Sequence, residues 1–166
     1  HKKKKNMTCD IRGNIKQHKP GTKWTKSPTQ IERRTRDYAI FASLGGARNF
    51  QGLEPIASRR GLPSDACHDT HMENCVYVSE SGKDETVTLV RAEEWISRGY
   101  SKWHREGVFV TNPDWHSHSW CTTEELKEAL ARAGDSHDER YLYLVHIMEY
   151  AELLGHECRF VFWFDN

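Results

Sequence analysis

The chain has 166 residues, of which 37% are hydrophobic and 29% charged, and its 24 Lys and Arg residues balance 24 Asp and Glu residues. This length predicts one domain, the scattered glycines and prolines exclude collagen-like and low-complexity proteins, and the zero net charge argues against a nucleic-acid-binding protein. No apolar run approaches the roughly 18–20 residues of a membrane-spanning helix, so we expect no membrane partner.

The amino-terminal end is basic, because residues 1–37 hold twelve Lys and Arg but three Asp and Glu. Four lysines lie in residues 1–6, ahead of Met7, the first residue that could start translation. We therefore interpret residues 1–6 as a tag remnant or a disordered basic tail, and residues 7–166 as a single α+β domain. If nucleic acid binds, we expect it to bind through this basic end.

Alternating residues predict a β-hairpin over residues 8–27, with a turn at Pro20-Gly21 and an exposed basic outer face. A helix is predicted over residues 30–44, buried through Ile31, Tyr38, Phe41 and Leu44. Residues 47–74 are expected to be irregular, and a long loop in a small domain is more often functional than idle. Three shorter elements follow: a second hairpin (75–78 with 86–90), a helix (91–98) and a strand (108–111).

Two capping patterns predict the helices of the carboxyl-terminal half. Thr122 with Glu125 opens a helix that ends at Gly134, and Ser136 with Glu139 opens a helix over residues 137–154. The buried stripe of this last helix is predicted to be Leu142, Val145, Met148 (or Ile147) and Leu153. The apolar run 158–164 predicts a strand buried on both faces. The fold class is α+β, a mostly antiparallel sheet with hairpins packed against two or three helices.

Cysteines and histidines suggest two sites. Five Cys residues cannot all pair, which favours a reducing compartment such as the cytoplasm. Cys67, His68, His71 and Cys75 lie too close in sequence for a typical zinc site and lack a C-x-x-C pair, so a polar loop is the favoured interpretation.

The second cluster is His116-Ser117-His118-Ser119-Trp120-Cys121. On an extended segment His116 and His118 would project to one face, where they could hold a divalent metal with Asp114 or Asp10, shuttle protons or bind phosphate. An ordinary polar loop ahead of a helix weighs equally with these functions. A nucleophile pair of Cys121 with either histidine stays a further alternative. Spacings typical of a P-loop, a dinucleotide-binding fold or a nucleophile elbow are absent from the sequence.

Several strings in this order resemble a family of small uncharacterised proteins of bacteriophages and prophages: Cys9-Asp10-Ile11, Arg36-Asp37-Tyr38-Ala39-Ile40-Phe41-Ala42, Gly46-Ala47-Arg48-Asn49, Arg60-Gly61-Leu62-Pro63-Ser64-Asp65, His116-Ser117-His118-Ser119-Trp120 and Arg159-Phe160-Val161-Phe162-Trp163-Phe164-Asp165-Asn166. The resemblance spans residues 7–166. It implies an accessory protein of the host cytoplasm that binds a host protein or a nucleotide-like ligand, for example in counter-defence.

We predict non-enzymatic binding of a small anionic ligand, with guanidinium and imidazole groups on phosphate and an indole ring on a base. The predicted ligand-binding residues are Asp10, Arg36, Arg48, Asn49, His116, His118 and Trp120. The alternative function is a metal-dependent hydrolase or nuclease, with His116, His118 and Asp114 as metal ligands. No cofactor follows from these motifs, apart from the divalent metal that the alternative would require.

Overall fold

The computed structural model describes residues 9–27, 37–134 and 138–165. These residues form an α+β fold with two antiparallel sheets, which confirms the predicted class. The described residues contain five helices, and three of them pack against the larger sheet, as predicted. The chain divides into two compact units, an inserted unit of residues 68–115 and a main unit built from the residues on either side.

The elements have the following bounds. The strands are β1 (Asp10–His18), β2 (Thr25–Lys26), β3 (Cys75–Tyr77), β4 (Trp103–His104), β5 (Phe109–Thr111), β6 (Trp115–Cys121) and β7 (Glu157–Asp165). The helices are α1 (Tyr38–Gly45), α2 (His68–Glu73), α3 (Leu89–Ser97), α4 (Thr123–Ala133) and α5 (Arg140–Leu153), with a 3-10 turn over Arg105–Gly107.

The main unit is built on a four-stranded sheet in the order β2-β1-β7-β6. The central strand β7 is buried along nearly its whole length, as its apolar run predicted. It pairs with β1 in antiparallel register from Asp10 opposite Asp165 to His18 opposite Glu157. Alternate residues of both strands, among them Ile11, Ile15 and Phe162, enter the core that α1, α4 and α5 cover. The opposite face of the sheet therefore carries the intervening residues, most of which are polar.

One glycine allows β1 and β7 to pack closely. A Cβ atom on Gly13 would lie 2.6 Å from the ring of Phe160 and 2.9 Å from the carbonyl oxygen of Val161. Real Cβ atoms do not approach carbon or oxygen so closely, so glycine is the residue that fits the core face of β1 here.

The amino-terminal hairpin forms as predicted, although its second strand is short. Lys16 and Gln17 of β1 pair with Lys26 and Thr25 of β2. The expectation of an exposed basic outer face is wrong at Lys16, which is only 1% exposed. Its strand β1 is internal to the sheet, with β2 on one side and β7 on the other.

Capping residues position α1 and α4. Asp37 accepts a hydrogen bond from the Ile40 N–H at the start of α1, and Gly46 ends the helix with a φ of 70°. The earlier part of the helix predicted over residues 30–44 lies in residues 28–36, outside the described residues. The capping box that starts α4 has both of its hydrogen bonds, between Thr122 and Glu125, as the sequence predicted.

The predicted buried stripe of α5 is wrong at two of its four positions. Leu142 and Leu153 of the predicted stripe are 41% and 83% exposed, whereas Tyr141 and Leu144 are buried. Val145 and Met148 are buried as expected, but α5 carries apolar residues around most of its circumference. The periodic pattern therefore did not determine which side faces the core. The predicted opening at Ser136 lies outside the described residues.

The inserted unit is a small three-stranded sheet in the order β3-β5-β4, with a core of Val76, Val87, Ala92 and Val110. The predicted strand β5 is confirmed, but the second hairpin is wrong. Thr88 caps α3 by accepting a hydrogen bond from the Arg91 N–H, so residues 89–90 are helical instead of extended. Likewise α2 lies within the stretch that was expected to be irregular. No helix among the described residues is long and apolar enough to cross a membrane.

Candidate functional site

The face of the main sheet that points away from the helices carries polar and aromatic side chains. We call it the polar sheet face. It consists of Asp10, Arg12, Asn14 and Lys16 of β1, Arg159, Trp163 and Asp165 of β7, and His118 and Trp120 of β6, whose rings contact Trp163 and Arg159.

Two buried cations are neighbours on this face. Lys16 is 1% exposed and Arg159 is 6% exposed, and the two residues are directly opposite each other in the β1–β7 register. Like charges at such positions destabilise an antiparallel pair, and burying a charge is costly unless it is paired. The Arg159 guanidinium donates from Nη1 to Asp65 Oδ1 at 2.8 Å, while its buried Nε has no hydrogen-bond partner among the described residues.

Aromatic rings surround the Arg159 guanidinium. Its Cζ atom lies 3.8 Å from the ring centre of Trp24 and 5.9 Å from that of Trp120. Trp24 also donates from its indole nitrogen to Asp65 Oδ2 at 2.8 Å, and His18 stacks on it at 3.8 Å. The hydrogen bond from Arg159 lowers the pKa of the Asp65 carboxyl, which keeps that carboxylate ionised. These contacts favour a cation on the polar sheet face.

A segment of the long loop is fixed to the edge strand β6. The Arg60 guanidinium lies 4.5 Å from the Trp120 ring centre and makes two hydrogen bonds to the Glu125 carboxylate, at 2.8 and 2.5 Å. The Gly61 N–H donates to the His118 carbonyl oxygen at 2.9 Å, a backbone hydrogen bond of the kind that a neighbouring strand would make. The Arg60 hydrogen bonds lower the pKa of Glu125. The indole of Trp120 is thus held between loop and sheet.

The two histidines do not project to one face, contrary to the prediction. The His118 ring stacks on Trp163 of the polar sheet face at 5.7 Å, whereas the His116 ring lies 6.2 Å from Phe164, a core-face residue. The cause is Ser117, whose φ of 57° interrupts the extended backbone and so the alternation of side chains. Burial, and secondarily the charge of His116, lowers the pKa of His118, which keeps its imidazole neutral. The Nε2 atom of His116 is buried without a hydrogen-bond partner among the described residues.

Asp10 and Arg48 of the predicted set come together at the end of β1. Both act on the buried thiol of Cys9, whose pKa is raised mainly by burial, while a hydrogen bond with Arg48 opposes that rise. Asp10 is opposite Asp165, which forms an ion pair with Arg12 at 3.0 Å. Acidic and basic side chains lie side by side at this end of β1. Its local charge is therefore less positive than the charge around Lys16 and Arg159.

Three predicted residues have other positions. Asn49 closes a loop by donating to the Leu53 carbonyl oxygen and accepting from the Leu53 N–H, at 2.6 and 2.8 Å. Asp114 belongs to the inserted unit, where its N–H donates to the Asn112 side chain in a turn. Arg36 lies outside the described residues.

The cysteines and the metal question can be judged from burial and geometry. No group of three or more His, Cys, Asp or Glu side chains placed to hold a metal ion occurs in the part of the chain that the structure describes. In the 67–75 cluster, Cys75 donates to the His71 carbonyl oxygen and His68 contacts Arg105. Cys121 is completely buried, which raises the pKa of its thiol strongly. A thiol held protonated in this way is a poor nucleophile, which argues against the pair of Cys121 with a histidine.

Comparison with known proteins adds no assignment. A scan against protein-family models finds no match, and neither a search of curated proteins nor one of solved structures finds a match.

The two buried cations of the polar sheet face, Lys16 and Arg159, were not predicted from the sequence. A signal for Arg159 existed, because it interrupts the apolar run 158–164 that predicts a strand buried on both faces. A charged residue in such a strand has to be paired or functional. Lys16 carried no such signal, since it stands among polar residues of an apparently exposed strand.

Proposed function

We propose that this chain is a non-enzymatic binding protein that holds a small anionic ligand, of the nucleotide type, on its polar sheet face. The observation that carries the proposal is the buried guanidinium of Arg159, which faces the buried Lys16 and has an Nε–H without a hydrogen-bond partner among the described residues. An anionic oxygen at this place would accept from Nε in a charge-assisted hydrogen bond.

The neighbouring rings favour a ligand that has a planar part besides its charge. The ring centre of Trp120 lies 5.9 Å from the Arg159 guanidinium, and the neutral ring of His118 stacks on Trp163 farther along the same face. A nucleotide offers both an anionic phosphate and a planar base. The predicted residues His118 and Trp120 belong to this site, and the missed residues Arg159 and Lys16 supply its charge.

The wider biological role is a proposal that depends on the sequence resemblance alone. That resemblance supports an accessory protein of phage type acting in the host cytoplasm, with ligand binding or host-protein binding serving counter-defence. The metal-dependent hydrolase gains no comparable support, because the His116 and His118 rings lie against opposite faces of the sheet.

The test is thermal unfolding of the full chain with a panel of ligands: nucleoside mono-, di- and triphosphates, cyclic dinucleotides and inorganic phosphate. A ligand at 100 times its Kd stabilises the folded state by about 2.7 kcal/mol, which raises the Tm of a chain of this size by roughly 5–10 °C. We expect at least one phosphate-bearing member to give such a shift.

The variant Arg159→Met, which keeps most of the side-chain volume, should lose the shift. Arg98→Met is the matched control, because Arg98 is exposed and lies in the inserted unit. If Arg159→Met does not fold, Lys16→Met takes its place. The proposal is wrong if no member of the panel shifts the Tm, or if the shift survives both substitutions in folded protein.

A further inference from the structure

Arg159 of the polar sheet face already pairs with an anion of the chain itself, the carboxylate of Asp65. Its Oδ1 atom accepts from Arg159 Nη1 at 2.8 Å, and its Oδ2 atom accepts from the Trp24 indole nitrogen at 2.8 Å. The Asp65 side chain is 61% exposed, whereas that of Arg159 is 7% exposed. The acid therefore lies on the solvent side of the buried cation.

This arrangement closes the cation to an incoming anion. The Trp24 ring covers the Arg159 guanidinium at 3.8 Å, and the Nε atom that lacks a hydrogen-bond partner among the described residues is buried. A ligand that binds Arg159 therefore has to take the place of the Asp65 carboxylate. Such a displacement is local, because Asp65 is exposed and exposed side chains change rotamer within nanoseconds.

A tethered carboxylate also selects the anions that can displace it. Because the chain holds Asp65 beside Arg159, the effective concentration of its carboxylate there is on the order of millimolar. A free monocarboxylate or a phosphodiester carries a single negative charge and competes poorly with such a neighbour. A terminal phosphate carries about −1.5 to −2 charges at pH 7 and has three acceptor oxygens. It can therefore replace the carboxylate at Nη1 and also accept from Nε.

We propose that Asp65 is a built-in competitor of the ligand and makes the polar sheet face selective for a terminal phosphate group, which binds by displacing the Asp65 carboxylate from Arg159. This role rests on the proposed function, in which an anion binds at Arg159. It adds the chemical group that is recognised and the residue that limits its affinity.

Two nucleotides with the same base test the selectivity: adenosine 5′-monophosphate, whose phosphate is terminal, and adenosine 3′,5′-cyclic monophosphate, which is a diester. Stacking on aromatic rings tolerates any base, so adenine is a sufficient probe. Proton–nitrogen correlation spectra of the labelled full chain follow the Nε–H of Arg159 and the indole N–H of Trp24. The monophosphate should shift both resonances along one saturation curve, because the indole loses its acceptor when Asp65 leaves. The cyclic nucleotide should bind at least about 10-fold more weakly.

The variant Asp65→Asn removes the charge and keeps an amide oxygen that can accept from Trp24. A neutral acceptor makes a weaker hydrogen bond to Arg159 than a carboxylate does, so the Kd of the monophosphate should fall by about 10-fold. Glu157→Gln is the matched control, because Glu157 lies two residues from Arg159 on β7, is similarly exposed (63%) and pairs with His18 instead. Its Kd should stay within about three-fold of the wild-type value, since exposed charges are screened.

The proposal is overturned if the monophosphate shifts the Arg159 resonance and leaves the Trp24 resonance in place, since it would then bind without displacing Asp65. This measurement uses the wild-type chain, so it decides the proposal even if Asp65→Asn does not fold. An Asp65→Asn chain that binds equally or more weakly also overturns it, because Asp65 would then orient the guanidinium. Equal wild-type affinity for the two nucleotides contradicts the selectivity. If neither nucleotide shifts the Arg159 resonance in either chain, the role of Asp65 as a competitor is wrong, whereas the proposed function is decided by the full ligand panel.

Discussion

The three leucines of α5 permit a stability test in which the chemical change is constant and only burial differs. Leu144, Leu142 and Leu153 are 8%, 41% and 83% exposed. Truncation of a buried leucine to alanine removes its transfer free energy and leaves a cavity, which together cost about 3 kcal/mol of unfolding free energy at Leu144. At Leu142 the covered fraction is smaller and solvent fills the space, so the loss should be about 1 kcal/mol. At Leu153 it should be below about 0.5 kcal/mol.

Urea unfolding followed by far-ultraviolet circular dichroism measures these differences. The slope m should stay constant among the variants, so that the midpoints report stability alone. The reasoning about α5 is refuted if Leu142→Ala or Leu153→Ala costs as much as Leu144→Ala, since the helix would then face the core with its other side.

Three further predictions concern the main unit. Gly13→Ala should lower the unfolding free energy by more than about 2 kcal/mol in the same urea assay, because its Cβ would overlap the Phe160 ring; a loss below about 0.5 kcal/mol would contradict the close strand packing. Thr122→Ala should cost about 1 kcal/mol by removing the cap of α4, and an unchanged midpoint would show that the capping box does not stabilise it. Arg60→Met should raise the lowered pKa of Glu125 toward its usual 4.5, as measured by carboxyl NMR. The stabilisation by this pair is present above about pH 4.5 and is lost as the pH falls through the lowered pKa; an unmoved Glu125 pKa would contradict the pairing.

Local chemistry made parts of the fold predictable. The capping box at Thr122 predicts the start of a helix, and the apolar run of β7 predicts a buried strand. The hairpin of β1 and β2 likewise follows from its turn and its alternation. These elements depend on residues that lie close together in the sequence.

Other parts depended on contacts that local patterns do not contain. The β-branched residues near Val87 favour a strand, but the Thr88 hydroxyl caps a helix and decides the outcome. The helix α5 has apolar residues on both sides, so the sequence alone could not tell a core face from an exposed one.

Only part of the candidate site was predicted, because the other part also depends on contacts that local patterns do not contain. His118 and Trp120 lie on the polar sheet face because β6 is extended there. The left-handed conformation of Ser117 turns His116 to the other side, and a serine in the sequence does not predict that conformation. Lys16 and Arg159 become neighbours only through the β1–β7 register, which joins residues from the two ends of the chain.

The central claim is that the Arg159 guanidinium receives an anionic ligand. The Nε–H resonance of Arg159 in a proton–nitrogen correlation spectrum of the labelled full chain reports on that group directly. The panel member that raises the Tm should shift this resonance to saturation and leave that of the exposed Arg98 unmoved. A ligand that binds and stabilises the chain while the Arg159 resonance stays in place would contradict the account.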